Sequence, residues 1–207
     1  MKSILVTGGC GFIGSHTCLE LLKLNYNVII IDSNINSTDI TLKKIIEIGS
    51  QENKFFKNRL HFFKGDIRDR DFVEYVFSET TREYKKINAV IHFAGLKAVA
   101  KSVEDPLLYW ENNVGGSLVL FKAMQKFNCL NIVFSSSATV YGVDEQVYLR
   151  EDAALKPTNP YGETKLAIEK ILSDIFRSSN EKWRIINLRY FNPIGAHPSG
   201  LLGEHPS

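Results

Sequence analysis

The 207-residue sequence predicts an α/β chain, a doubly wound parallel sheet with helices on both faces. Three observations carry that prediction. Short apolar runs such as Ile4-Leu5-Val6 and Val28-Ile29-Ile30-Ile31 read as strands buried on both faces. Stretches with apolar residues at helical spacing alternate with them along the chain. Spaced glycines, Gly8, Gly11 and Gly14, join the first strand to the first helix.

In that first turn Gly8 permits the reversal of the chain, Gly11 lets a diphosphate approach the backbone, and Gly14 lets the helix pack close to the strand. The diphosphate would sit on the unpaired N–H groups at the helix start. Ile13, Thr17, Leu21, Leu22 and Leu24 give that helix its apolar spacing. Asn27–Ile31 is the second strand, and Asp32 at its end is suited to accept hydrogen bonds from the ribose hydroxyls of NAD and to repel a 2′-phosphate. The polar turn Ser33–Ser37 follows. Ile40, Leu42, Ile45, Ile46 and Ile48 then predict an amphipathic helix closed by Gly49.

Leu60–Phe63 is the third strand, and Gly65-Asp66-Ile67 leaves it. Asp66 can accept the exocyclic amine of adenine or cap the helix around Phe72, Val73, Val76 and Phe77, and both uses remain open. The fourth strand, Ala89–Phe93, runs into the small residues Ala94 and Gly95, against which a cofactor can lie. Pro106 opens a long helix carrying Leu107, Leu108, Trp110, Val114, Leu118 and Phe121. Asn131–Phe134 is the fifth strand, left by Ser135-Ser136-Ser137-Ala138-Thr139. A polar loop from Gly142 to Pro160 leads to a helix starting at Tyr161, and Trp183–Leu188 is the sixth strand. The tail from Arg189 reads as loop. Right-handed crossovers put the carboxyl ends of all six strands on one edge, where the polar clusters fall.

Lys and Arg exceed Asp and Glu by only two (25 against 23), which argues for neither nucleic acid nor an anionic membrane surface as partner. Lys43-Lys44 and Lys85-Lys86 read as solvated helix ends. No apolar run approaches the roughly 20 residues of a membrane span. The first strand begins by Ile4, so no secretory leader is expected. Cys10, Cys18 and Cys129 lack metal or redox spacing and read as free thiols in a reducing cytoplasm. His16, His61, His92, His197 and His205 are scattered, and no metal site is expected.

The second chemical stretch is Tyr161-Gly162-Glu163-Thr164-Lys165. Residues four apart share a helix face, so Tyr161 and Lys165 are neighbours. An adjacent ammonium, with the positive nicotinamide ring of NAD⁺, favours the phenolate and lowers the phenol's pKa. Such a Tyr can take a proton from a sugar hydroxyl while hydride leaves the same carbon. A helix can also hold Tyr and Lys at this spacing without chemistry. The serine cluster argues for the chemical reading, because a hydroxyl there completes a Ser/Tyr/Lys set.

On these motifs the sequence resembles the extended short-chain dehydrogenase/reductases and, within them, the UDP-glucose 4-epimerase family. The resemblance runs from end to end through Thr7–Thr17, Phe93–Val99, Phe134–Gly142, Tyr161–Lys165 and Arg189–Gly200. It implies a Rossmann-type NAD-binding domain over residues 1–190. Tyr161 would be the base, Ser137 its hydrogen-bonding partner and Lys165 the holder of the nicotinamide ribose. The implied NAD contacts are Gly8, Gly11, Phe12, Ile13, Gly14, Asp32, Asn36, Ser37, Asp66, Ile67, Phe93, Ala94, Gly95, Lys97, Asn112, Tyr161, Lys165 and Phe191. The implied UDP-sugar contacts are Lys97, Ser137, Ala138, Thr139, Tyr161 and Asn192. The helices after Pro106 and Tyr161 would form a homodimer interface, although a sheet-facing side explains many of their apolar positions equally well.

The implied reaction interconverts UDP-glucose and UDP-galactose through a transient 4-keto sugar. Nucleotide-sugar 4,6-dehydratases, the main enzymatic alternative, place an acidic pair after the Ser/Thr, where this chain has Ala138-Thr139-Val140. The family continues into a smaller substrate domain, and residues 191–207 read as the start of a connection to it. A catalytically silent NAD-binding unit and one half of a split enzyme therefore stand beside the enzyme as alternatives.

Overall fold

Apolar runs flanked by glycine and polar turns form six parallel strands in the computed structural model, which describes residues 1–52, 54, 56–143 and 148–204; the inner strands are buried, while the edge strand β6 leaves Ile186 and Leu188 exposed. They are β1 (Ser3–Thr7), β2 (Asn27–Asp32), β3 (Leu60–Lys64), β4 (Ile87–His92), β5 (Asn131–Ser137) and β6 (Arg184–Tyr190). Their order is β3-β2-β1-β4-β5-β6, and every neighbouring pair is parallel. The order reverses between β1 and β4, and such a reversal opens a crevice at the strands' carboxyl ends. The doubly wound fold is as expected.

Alternation along the strands divides the core. Leu5, Ile29 and Ile31 face α3 (Arg70–Glu83), α6 (Gly116–Lys126) and α7 (Pro160–Ser178) through Val76, Phe77, Leu120, Met124, Ile168 and Leu172. Ile4, Val6, Val28 and Ile30 face α1 (Phe12–Lys23) and α2 (Ile40–Gln51) through Cys18, Leu19, Leu22, Ile45 and Ile48. The buried stripe of α1 is therefore Gly14, Ser15, Cys18, Leu19 and Leu22, and Leu24 lies exposed beyond its end. The expected stripe was rotated, because the close approach at Gly14 fixes which side meets the sheet.

Other elements differ from expectation. Helix α2 runs through Gly49 to Gln51, since the Phe56 ring packs where a Gly49 Cβ would stand, 2.4 Å away. Lys43 and Lys44 therefore sit within that helix, not at its end. The cap of α3 is Asp69, whose carboxylate accepts from the Phe72 N–H at 3.0 Å, so Asp66 is not a cap. A short α4 (Val99–Glu104) precedes the helix expected from Pro106. That helix is segmented: α5 (Pro106–Tyr109), capped by Asp105, then a π-helical stretch over Trp110–Gly115, then α6. Helix α7 begins one residue before Tyr161, at Pro160, under the Asn159 cap. Strand β5 keeps Ser135, Ser136 and Ser137 within its ladder, paired with Leu188, Arg189 and Tyr190.

The tail is more than loop. Ala196 and Gly203 form an antiparallel bridge, and Leu202 is buried in the apolar cluster that also holds Val6 and Cys10. Residues 144–147 of the expected polar loop and 205–207 of the tail, with His205, lie outside the described residues. Among the described residues no helix is long and apolar enough to cross a membrane, and no group of three ligating side chains could hold a metal ion.

One buried polar chain ties the sheet together. The Thr7 hydroxyl lies 2.6 Å from His92 Nδ1, and His92 Nε2 lies 2.9 Å from the Ser117 hydroxyl, which donates to the Asn113 carbonyl. Ser117 has spent its proton, so His92 carries its own on Nε2 and accepts from Thr7 on Nδ1. That neutral tautomer satisfies every group, and burial, with the Lys165 charge, pushes the imidazole pKa down to about 3. A histidine held below its free value stabilises the fold above pH 6.5 and withdraws that stability as pH falls toward 3. Denaturant unfolding should therefore show wild type losing roughly 1.4 kcal/mol per pH unit across that window relative to His92→Gln. Parallel pH profiles for the two would place the titration elsewhere.

Candidate active site

The glycine turn shows which of its residues the fold itself requires. Gly8 has φ +70°, and a Cβ there would lie 2.7 Å from the Ala94 nitrogen. A Cβ on Gly14 would lie 2.2 Å from the Gly8 carbonyl oxygen. Gly11 is different: its φ is −75°, and the nearest atom to a Cβ is Gly8 O at an ordinary 3.4 Å. Packing within the protein does not demand glycine there, so the space suits an approaching ligand. Gly11 also caps α1 with no side-chain hydrogen bond, leaving the first-turn N–H groups around Phe12 and Ile13 for an anion.

Asp32 stands beside that turn, buried, accepting from the Cys10 N–H (2.9 Å), the Asn34 N–H (3.0 Å) and the Ser37 hydroxyl (2.7 Å). These fix a carboxylate at the end of β2, with about one lone-pair site left on Oδ2 for a ligand hydroxyl. Ser37 thus orients Asp32, while Asn36 is exposed. The Cys10 and Asn34 contacts had no sequence signal, because both donors are backbone groups. Asp66 is gripped by Arg68 through Nε and Nη2 at 2.7–3.1 Å, and those hydrogen bonds hold its carboxyl below the ordinary range. Ile67 beside it is buried against Gly116.

The Phe93–Lys97 segment hangs from β1 and from one asparagine. Phe93 and Ala94 donate N–H bonds to the Thr7 carbonyl at 3.0 and 3.1 Å. Asn113 is buried in the π-helical stretch; its carbonyl accepts from the Leu96 N–H (2.8 Å), and its amide donates to the Leu96 carbonyl and the Thr164 hydroxyl, both at 3.1 Å. A Cβ on Gly95 would press on Asn113 Oδ1 at 3.1 Å. The expected asparagine, Asn112, points its amide back to the Leu108 carbonyl instead. Lys97 is exposed and pairs with Glu204 at 3.2 Å.

The structure does assemble the Ser/Tyr/Lys set. Ser137, at the last position of β5, accepts from the Thr139 N–H (3.2 Å) and hydroxyl (3.0 Å), and its side chain lies close enough to the Tyr161 phenol to lower that group's pKa. The turn Ala138–Val140 meets α7 at Gly162, where a Cβ would stand 2.9 Å from the Thr139 carbonyl oxygen. Lys165 is buried, donates to the Ser135 carbonyl at 2.8 Å and lies 5.8 Å from the Tyr161 ring centroid. Burial pushes its pKa down to about 8. The phenol departs from expectation: burial raises its pKa, the Ser137 side chain lowers it, and Tyr109 adds a raising contribution, the balance lying above the free value. Within the protein, desolvation is the largest of these effects. Phe191 and Asn192 stand exposed beyond β6, with Phe191 stacked on Tyr141 at 6.4 Å. The set is assembled; the rim is open.

The profile of the family described as GDP-mannose 4,6 dehydratase matches residues 5–205. The chain belongs to that family, within the extended short-chain dehydrogenase/reductases. It is 51% identical over 205 residues to UDP-glucose 4-epimerase 2 of Arabidopsis thaliana, covering 99% of this chain and 56% of that protein. It is 50% identical over 205 residues to UDP-glucose 4-epimerase of Bacillus subtilis, covering 99% and 57%. Among solved structures, UDP-glucose 4-epimerase of Bifidobacterium longum, in complex with NAD⁺ and UDP, matches with a TM-score of 0.90 and 45% identity, covering 99% of this chain and 58% of that one. The chain spans a little over half the length of these relatives. Their similarity bears out the resemblance read from the motifs.

Gly14→Ala should lower Tm by roughly 5 °C or more, because its Cβ meets fixed backbone. Gly11→Ala should stay within about 1 kcal/mol of wild type. Thermal melts of the two variants check the contrast, and equal losses would refute the assignment of Gly11 to a ligand.

Proposed function

We propose that the chain binds NAD across the crevice between β1 and β4, and that Ser137, Tyr161 and Lys165 carry the proton transfers of UDP-glucose/UDP-galactose 4-epimerisation. The observation that carries this is the assembled set itself: a buried Lys165 on the Ser135 carbonyl, the Tyr161 ring 5.8 Å from its ammonium, Ser137 acting on the same phenol, and Gly95 beside Lys165. The nucleotide end is supported by the uncapped α1, the open space at Gly11 and the carboxylate of Asp32. The nicotinamide end would lie along Phe93, Ala94 and Gly95 toward Lys165, with Lys97, Asn112 and Phe191 at its margin.

Bound NAD⁺ would accept and return a hydride at the sugar C4 and add a positive charge near the phenol. Tyr161 would take the 4-hydroxyl proton while Ser137 holds the same oxygen. Lys165 would hold the nicotinamide ribose and offset the burial that otherwise keeps the phenol protonated. With the 4-keto sugar turned over, the hydride would return to the opposite face of C4 while Tyr161 gives its proton back to the C4 oxygen, which inverts C4 with no net oxidation. Ala138, Thr139 and Asn192 would line the sugar and diphosphate. Dehydration would need a carboxylate after Ser137, where the chain has Ala138-Thr139-Val140.

Exposed Leu107, Leu108, Trp110, Leu118 and Phe176 on α5, α6, α7 and the stretch between α5 and α6 support a homodimer through those helices. Three buried free thiols suit a cytoplasmic enzyme of galactose metabolism. Residues 1–190 are the cofactor domain, and 191–207 begin the connection to a substrate domain. The coverage of little more than half of each relative favours a second reading, an NAD-binding unit that turns nothing over by itself.

The purified chain should release nicotinamide dinucleotide on denaturation, read by absorbance and mass spectrometry of the supernatant; a supernatant without it would sink the cofactor assignment. With NAD⁺ supplied, conversion of UDP-galactose to UDP-glucose should occur and fall at least 100-fold in Tyr161→Phe, which should keep its cofactor. Retained cofactor without any turnover in wild type would decide for the silent unit.

A further inference from the structure

Glu169 lies four residues beyond Lys165, which lies four beyond Tyr161, so the three share one stripe of α7. Each finds its partner on one of three consecutive serines of β5. The Ser137 side chain acts on the Tyr161 phenol, Lys165 donates to the Ser135 carbonyl, and Glu169 Oε1 accepts from the Ser136 hydroxyl. Glu169 is buried, and its charge is met from the neighbouring strand by Arg189, through Nε to Oε1 at 3.1 Å and Nη2 to Oε2 at 2.8 Å. Arg189 is the register partner of Ser136, so one carboxylate closes a bridge over both strands. The remaining nitrogen of the fork donates to the Tyr141 hydroxyl at 3.0 Å and the Glu151 carbonyl at 2.9 Å. The guanidinium also lies 5.0 Å from the Tyr141 ring centroid.

Five segments therefore converge one turn behind the reactive pair: β5, β6, α7, the turn carrying Tyr141, and the segment at Glu151. A well-packed apolar pair would seal this face with at least equal stability, because burying two charges costs most of what their attraction returns. What apolar packing would not give is a fixed register of α7 against the serines.

We propose that Glu169 and Arg189 are positioning residues, a charge-compensated pair that seats Tyr161 and Lys165 on the serine strand and adds no net charge of its own to that of Lys165 beneath the phenol. The proposal rests on the reading of Tyr161 as the proton-transfer group. Tyr109 from α5 acts on that phenol, Lys165 on its own helix lies 5.8 Å from its ring, His92 from β4 faces Lys165, and the pair lies farther along the same stripe of α7. Neither partner touches the reacting atoms.

The test is a pH titration of the Tyr161 phenol in the full chain labelled with ¹³C-tyrosine, the resonance assigned by its loss in Tyr161→Phe. Glu169→Gln leaves Arg189 uncompensated and should lower the phenol pKa by roughly half a unit or more; Arg189→Met strands Glu169 and should raise it by a similar amount. Shifts in the same direction, or none in folded variants, would overturn the proposal, since a merely structural contact has no sign. Where either single variant fails to fold, the charge-neutral Glu169→Gln/Arg189→Met variant decides. Amide exchange over 161–165 should then rise about tenfold while the overall melt stays near wild type, and unchanged exchange there would refute the seat. Neither readout uses sugar or cofactor. A chain that turns over no UDP-sugar can still show both effects, and an active chain showing neither overturns the pair alone.

Discussion

The contact on which the rest depends is backbone on backbone, where α1 meets the turn after β1. The Gly14 position leaves no room for a Cβ against the Gly8 carbonyl, and Gly8 leaves none against Ala94. With side chains excluded, β1, α1 and the segment after β4 close to van der Waals distance. The N-terminus of α1 then opens onto the point where the strand order reverses. Asp32, fixed by the Cys10 and Asn34 N–H groups, stands at the same edge because β2 is the register neighbour of β1.

A second constraint operates across the crevice. Buried polar groups there are held in a low dielectric with every partner supplied by the protein. His92 is neutral between Thr7 and Ser117, Lys165 rests on the Ser135 carbonyl, and Glu169 is shared between Ser136 and Arg189. Such groups are expensive to leave unpaired, so each fixes the spacing of the elements it joins. Asn113 does the same for the Phe93–Lys97 segment, clamping Leu96 to α7 through Thr164. The π-helical stretch carrying Asn113 lies within the helical run from Pro106, and widened turns of this kind recur at functional sites.

The phenol illustrates how these constraints compete. A lysine near a tyrosine was expected to depress its pKa, yet the pocket that shields the pair from water raises it. Both effects arise from one burial: it pushes Lys165 down to about 8 and Tyr161 up, so each charged form depends on a partner. Ser137 is one such partner, and a cation over the phenol would be another.

The sequence by itself determined the alternation of strands and helices, because wholly apolar runs and 3.6-residue spacing are local properties of side chains. It also determined the glycine turn, Asp32, and the Ser137, Tyr161 and Lys165 set, since motif spacing places these at strand ends and on one helix face. Tertiary structure decided what depends on contacts distant in the chain. It turned the buried stripe of α1, used Gly49 for the Phe56 ring instead of a helix stop, and moved the cap from Asp66 to Asp69. It also chose Asn113 over Asn112 as the clamp and brought Arg189 to Glu169. The stripe of Tyr161, Lys165 and Glu169 was legible as spacing, but the charge that completes it comes from another strand. Local pattern sets which face a residue occupies, whereas only packing decides what meets it there.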